Sequence, residues 1–466
     1  MTLTILIDLI AIIGLIGIAQ SKGLEAALPF ASFLLVLVPI EAIIPLGVFN
    51  LTTQRLIVVI LLLLYFSSGR SRGLTGDASA TPLKFLMLMH IAWCFVSTAN
   101  SIVPVMSIKK ALSVVFEYYT LYFIYWRTVS KVQTIHKILT AIVLAIIVCS
   151  VFGAVEAYSG WNVLQLLPKV LHHWSTEEAD REVRVQSTFD HAILFGAALA
   201  MAITLALYLL TVVRKAWQKV FLWGGLMLMF LNIYKTSSRG PWLDVILGCL
   251  LLLFFAAKQT RKSILMIGVL SLLVMIIRPG IWGTIDGIWA NTFNMNTDTG
   301  ASYEYRYALP RAATGALLKS PGRTLWGYGL ESFYDLGIEG EFLGKPHVFL
   351  SCDNAWVELM VETGFVGLLI IALLLLKPAW IAWREYWKLP ASDRQLSLIL
   401  LVNMLIFYFQ MYSVGMYSWG QNGYMLWVLI ALTLAHGKCR EGEAERSASR
   451  GRGFSTVELE AAFQTT

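Results

Sequence analysis

Runs of about 18 to 20 mostly apolar residues recur from one end of the 466-residue chain to the other, and they constrain its fold more than any other feature. A helix of that length spans a hydrocarbon core of roughly 30 Å, where backbone hydrogen bonds must be satisfied within the protein. A soluble globule is excluded by supply. With 57% hydrophobic and 14% charged residues and a mean hydropathy of +0.68, too few polar side chains exist to cover one. The expected fold is all-α, a polytopic membrane helical bundle of about 12 to 13 transmembrane helices. The sequence predicts them at 3–19, 24–47, 55–66, 84–99, 109–126, 138–157, 189–213, 219–235, 242–257, 263–278, 355–376, 395–412 and 422–436. The first run lacks a basic leader and a small-residue cleavage site, so it reads as a retained helix.

The net charge of +7 does not point to nucleic acid, because the basic residues are scattered through short loops. Arg70, Arg72 and Lys84; Arg127, Lys131 and Lys137; Arg214, Lys215 and Lys219; Lys258, Arg261 and Lys262; and Lys377, Arg384, Lys388 and Arg394 mark alternate connections. By the positive-inside rule these face the cytoplasm, leaving 100–108, 158–188, 236–241, 279–354 and 413–421 on the outer face. Thirteen spans put the N-terminus outside, and one half-inserted early segment would put it inside. Residues 1–436 read as one integral membrane domain, and the mixed-charge tail 437–466 as a disordered cytoplasmic segment. The five cysteines form no disulfide framework or metal-ligand spacing. No internal repeat or matched pair of interrupted helices points to an inverted-repeat transporter.

The one long polar break, Pro279 to Asp353, is rich in Gly, Tyr, Arg and carboxylates, and is where water-soluble groups can be handled. Positive charges on the outer face have no topological reason to be there. Arg239, in a tight Gly240–Pro241 turn, is either a snorkelling arginine or an anion ligand at a helix start. Arg306 is bracketed by Tyr303, Tyr305 and Tyr307, a composition that suits sugar rings and charge together, or an interfacial aromatic belt. Residues 304–318 read as an amphipathic helix interrupted by Pro310, with Arg311, Lys319 and Arg323 on a solvated face. Arg184, Asp190 and His191 sit where an outer loop enters a span, a place where histidine is more often a structural hydrogen-bonder than a catalyst. Lys109 and Lys110 lie at the outer end of the fifth run, fit either to meet a lipid phosphate or to snorkel. Glu41 and Glu117 are charges in or near spans.

Three ordered motifs resemble the O-antigen ligase/polymerase superfamily of bacterial membrane glycosyltransferases: TSSRGPWLDVILG (236–248), EYRYALPRAATGALLKSPGRTLWGYGLESF (304–333) and CDNAWVELMVETGFVGLLI (352–370). RVQSTFDHAILFGAALA (184–200) is similar to a less specific segment that precedes them in such proteins. The resemblance implies a fold of the glycosyltransferase C type and a bacterial inner-membrane location, with the active site outside. Its implied partners are a polyprenyl-diphosphate-linked oligosaccharide, membrane lipid, and other polysaccharide assembly and export proteins. Arg239 and Arg306 match the arginines that grip the diphosphate. Where many ligases carry His-Asn, this chain has Asp353-Asn354, which favours the polymerase branch. Candidate bases are Asp353, His347 and Glu304, in that order. Arg184, Arg311, Tyr305, Tyr307, Asn354, His191, Lys109 and Lys110 complete the candidate substrate-binding set. The outer face shows no DxD-like pair, which agrees with metal-independent transfer; no cofactor is expected, and the expected product is an inverted glycosidic bond. A ligase shares the donor site and differs in acceptor. A transporter or flippase is the reading that Glu41 and Glu117 would favour.

Overall fold

The structure, a computed structural model, describes residues 2–46, 50–68, 81–167, 184–278, 280–390 and 393–463. It opens with α1 (Thr2–Lys22) and α2 (Leu24–Leu37), followed by a small antiparallel pair, β1 (Ile43–Pro45) and β2 (Asn50–Thr52). Next come α3 (Thr53–Ser67), α4 (Lys84–Ala99), α5 (Pro104–Ser113), α6 (Thr120–Thr128), α7 (Val132–Ser159), α8 (Ala192–Val212), α9 (Ala216–Lys235), α10 (Arg239–Phe255) and α11 (Lys258–Ile277). A π-helical turn, Val114–Tyr119, joins α5 to α6. The polar break folds as α12 (Gly280–Thr292), α13 (Asp298–Leu318), α14 (Pro321–Trp326) and the hairpin β3 (Ile338–Phe342) and β4 (Lys345–Phe349). The chain closes with α15 (Ala355–Lys388), α16 (Arg394–Gln410) and α17 (Gly420–Phe463).

Among the described residues, α1, α7, α8, α9, α11 and α15 are long and apolar enough to cross a membrane. Each predicted span is helical, with informative differences at the ends. The helix expected over 24–47 stops at Leu37, because Pro39 forces Val38 into an extended conformation (φ −75, ψ 131). The last helix continues through residues 437–463, where a disordered tail is expected; Ala, Glu and Arg in that segment are good helix formers. Pro310 does not interrupt α13. It removes only the bond to the Arg306 carbonyl, and the helix carries it. Arg70 and Arg72 lie outside the described residues.

The chain runs back and forth between two ends. At one, Glu25 accepts from Ser130 N (2.9 Å) and Thr134 Oγ1 (2.8 Å), Lys438 Nζ donates to Trp126 O (2.8 Å), and Arg440 pairs with Asp393. Among the described residues, the basic connections around Arg127–Lys131, Lys258 and Lys388–Arg394 lie there. At the other end, Gln421 Nε2 donates to Thr188 O (2.8 Å), Gln54 Nε2 to Val38 O (2.6 Å) and Ser107 Oγ to Leu330 O (2.6 Å). Thr53 Oγ1 donates to Asp8 Oδ1 (2.7 Å), which ties the first half of α1 to the start of α3 at this second end.

The central pillar is α8, buried at every position from Leu194 to Leu210. It packs against α7, α9, α10, α11 and α16. Small residues let neighbours approach: a Cβ on Gly196 would lie 2.5 Å from Pro241 Cγ, and one on Gly248 would lie 2.7 Å from Thr204 Cγ2. Helix α11, in contrast, turns a broad apolar face outward, with Leu265, Val269, Leu272 and Ile276 exposed, as a lipid-facing helix must.

Helix α15 breaks at Gly364, which holds φ 70 and ψ 179. The break exposes three carbonyls, and each is claimed. Val361 O accepts from Tyr328 N (3.0 Å), Glu362 O from Gly329 N (2.8 Å) and Ser97 Oγ (2.6 Å), and Thr363 O from Trp93 Nε1 (2.7 Å). Gly364 lies so close to the Leu325 carbonyl that an added Cβ would overlap it. G364A should therefore destabilise the protein by at least about 1–3 kcal/mol, from the left-handed backbone alone. A fall in the melting temperature of the detergent-purified protein is the check, and an unchanged value would show that the break does not need glycine.

Candidate active site

The TSSRG turn leads directly into α10, whose first residue is Arg239. The helix begins three residues earlier than the sequence pattern indicates, because Pro241 falls within the first turn, where a missing N–H costs nothing. Arg239 is half-buried and its Nη1 donates to Thr292 Oγ1 (2.7 Å) at the end of α12. Its charge also acts on the Tyr303 hydroxyl, so it lies beside α13 as well.

Arg306 stands one turn along α13 from Tyr303, on the same face. It is half-buried and lies near Asp353, which precedes the α15 cap residue Asn354. Burial raises the Asp353 carboxyl above the usual carboxylate range, and the Arg306 charge partly offsets this. Arg239, Tyr303, Arg306 and Asp353 thus form a series along the same cap of the bundle.

The tyrosines expected to surround Arg306 divide instead, because successive helix positions point about 100° apart. Tyr303 and Tyr307 share a hydroxyl hydrogen bond (2.8 Å) and continue a run of edge-on rings from Trp289 and Phe293. Tyr305 faces the other way, packs on Phe342, His347 and Phe349, and donates to Ser351 O (2.7 Å). His347 sits on β4 within this aromatic group. Glu304 is half-buried on α13, and Arg311 is exposed on the same helix.

Several other candidates hold structural bonds. Asn354 caps α15, its Oδ1 accepting from Trp356 N (3.0 Å) and Val357 N (3.2 Å). His191 caps α8 through Nδ1, which accepts from Ile193 N (3.1 Å). Arg184 Nη2 donates to Ser238 Oγ (2.7 Å) and its Nε to Thr236 O (3.2 Å). Lys110 pairs with Glu331 (2.7 Å), while Lys109 is exposed. Arg323 is not on a solvated face: it donates to Asn100 O and Gly327 O and stacks 4.7 Å from the Tyr328 ring. Glu117 lies in the π-turn and pairs with Arg55 (2.9 Å), with Ser113 and Tyr424 also donating to it. Glu41 lies beside Asp190, and burial pushes the carboxyls of both upward.

Thr292 was invisible to sequence reasoning, since a lone threonine in a polar segment carries no signal. Gln410 and Ser413 were likewise missed. They lie against the TSSRG turn, where a Cβ on Gly240 would sit 2.9 Å from Gln410 Oε1 and 3.0 Å from Ser413 Oγ.

Fold and site together define a polytopic membrane helical bundle with an arginine-bearing polar cap. Residues 224–372, which include Arg239, Arg306 and Asp353, match the family described as O-antigen ligase, and this supports the O-antigen ligase/polymerase superfamily and an enzyme of that general type. A search of curated proteins finds no match.

Two measurements test the structural roles. Asn354→Ala removes a double cap and should cost about 0.5–2 kcal/mol of stability, read by thermal unfolding; no loss would show that the cap does not hold α15. Burial, reinforced by the Arg184 charge, pushes the His191 imidazole from 6.5 down to about 4. Between those values the unfolded chain binds more protons than the folded one. The stability His191 contributes is therefore complete above about pH 6.5 and is lost as pH falls towards 4. H191N keeps an N-cap acceptor without the titration, so it should flatten that part of the stability–pH curve relative to wild type.

Proposed function

We propose that the protein is a membrane glycosyltransferase that polymerises oligosaccharide repeat units, carried on a polyprenyl diphosphate, into an exopolysaccharide or O-antigen-like chain. The observation that carries this reading is the placement of Arg239 at the N-terminus of α10, with Arg306 and Asp353 further along the same polar cap. A helix N-terminus and a guanidinium are both suited to phosphate oxygens.

A diphosphate is already a good leaving group. The protein's work is to orient donor and acceptor and to stabilise negative charge as the bond to the sugar breaks, which arginines do without a metal. Arg239 and Arg306 clamp the diphosphate. Asp353 accepts the proton of the acceptor hydroxyl that attacks the anomeric carbon from the opposite side, giving inversion. Its burial suits that role, since a raised carboxyl is a better base. His347 and Glu304 are the next candidates. The cap faces the extracytoplasmic side, because the basic connections gather at the opposite end.

A second reading is a ligase that moves a finished glycan from the carrier to a lipid core or other acceptor, and the family description favours it. The transporter reading loses support from Glu117, whose ion pair with Arg55 gives it a structural task.

R239A and R306A should each lower polymer formation by about 100-fold or more, the scale of losing a group that stabilises developing charge. Product analysis separates the readings: single repeats accumulating on the carrier mark a polymerase, and long chains accumulating there mark a ligase. Normal polymer and normal glycan transfer in both variants would sink the assignment.

A further inference from the structure

We propose that Arg184 is a positioning residue for the diphosphate site, fixing the TSSRG turn and through it Arg239, without gripping the substrate itself. The inference rests on Arg239 being a diphosphate ligand.

The segment that precedes α8 runs beside the end of α9, where Val185 N donates to Lys235 O (3.2 Å). From there the Arg184 guanidinium reaches across the turn, with Nε on Thr236 O (3.2 Å) and Nη2 on Ser238 Oγ (2.7 Å). The residue between those two anchors, Ser237, has φ +48, a left-handed conformation for a side chain that carries a Cβ. Such a conformation persists only where its surroundings over-determine it; the Ser237 amide, which donates to Tyr234 O (3.2 Å), holds it from α9, and the fixed guanidinium fork holds the residues on either side.

The bond to Ser238 has a second effect. Ser238 is the N-cap residue of α10, a position where serine ordinarily accepts from an amide of the first turn. Here its side chain makes no capping bond. Its hydroxyl donates to Thr236 O (3.0 Å) and accepts from Arg184. Arg184 therefore draws the natural cap away from a helix start whose first residue is Arg239. The far side of the turn is seated by close packing of Pro241 on Gly196 and of Gly240 on Gln410. Arg184 closes the near side.

The test is a double-mutant cycle on the full-length protein in detergent, titrated with farnesyl diphosphate and farnesyl monophosphate and followed by tryptophan fluorescence. S238A and R184Q should each weaken diphosphate binding by about tenfold and reduce the preference for diphosphate over monophosphate. The double variant should be no weaker than the worse single one, because both changes break the same link. A purely structural role would lower the melting temperature without moving that preference. Losses that multiply would show Arg184 touching the phosphates and overturn the proposal. So would wild-type binding by R184Q and S238A beside weakened binding by R239Q, which leaves the donor reading intact. Wild-type binding by R239Q would instead remove the donor reading, and the positioning role with it. If R184Q does not fold, S238A alone decides: tenfold weaker binding at an unchanged melting temperature supports the proposal, and unchanged binding overturns it.

Discussion

Backbone groups inside an apolar slab must find partners within the protein, and the break in α15 is where this constraint shapes the rest of the structure. The non-helical backbone at Gly364 leaves the carbonyls of Val361, Glu362 and Thr363 without partners from lipid or from their own helix. Residues 328 and 329 of the polar segment supply two amides, and α4 supplies Ser97 and Trp93. The long polar segment is consequently stitched into the bundle. Arg323 adds a further tie by donating to Asn100 O at the end of α4.

That anchoring determines what the cap can do. With residues 328 and 329 held against α15 and α4, the segment leads back through α14 to α13, which carries Arg306 and Tyr303, and forward to β3, which packs on α13. The small core of Ala308, Leu309, Ala313, Phe333, Ile338 and Phe349 joins these pieces into one layer. An arginine on such a layer is pre-oriented, and less freedom is lost when it meets an anion than would be lost from a mobile loop.

The spans were legible because apolar periodicity and length are decided by the solvent, and lipid imposes the same demand on each of them. The alternation of basic connections likewise gave the grouping of ends. Within the polar segment those signals vanish. The sequence shows Tyr303, Tyr305 and Tyr307 flanking Arg306, but the 100° step of α13 sends Tyr305 to the hairpin and the others towards Phe293. It shows Asn354 beside Asp353 in a motif, but only the geometry shows the amide spent on capping α15. Arg323 reads as one more surface charge because its partners, the carbonyls of Asn100 and Gly327, are backbone atoms that no side-chain pattern reveals. Arg239 was legible for the opposite reason, as Gly and Pro beside it announce a turn and a helix start in local sequence alone.

The segment 410–413, at the end of α16, ties these parts together although composition marks it as no more than a connection. Gln410 and Ser413 pack against Gly240 in the TSSRG turn, the Met411 carbonyl accepts from Ala355 N (2.8 Å) at the start of α15, and Tyr412 lies near Tyr303 on α13. The two sides of the proposed site, Arg239 with its helix start and Asp353 with its own, are therefore referenced to the same four residues. Their separation is set by the rigid end of α16, and by neither loop alone. For a reaction that needs donor phosphate and acceptor hydroxyl held at a fixed distance, that shared reference is the geometric requirement. It is met by residues with no chemistry of their own, so a search for reactive side chains passes over them.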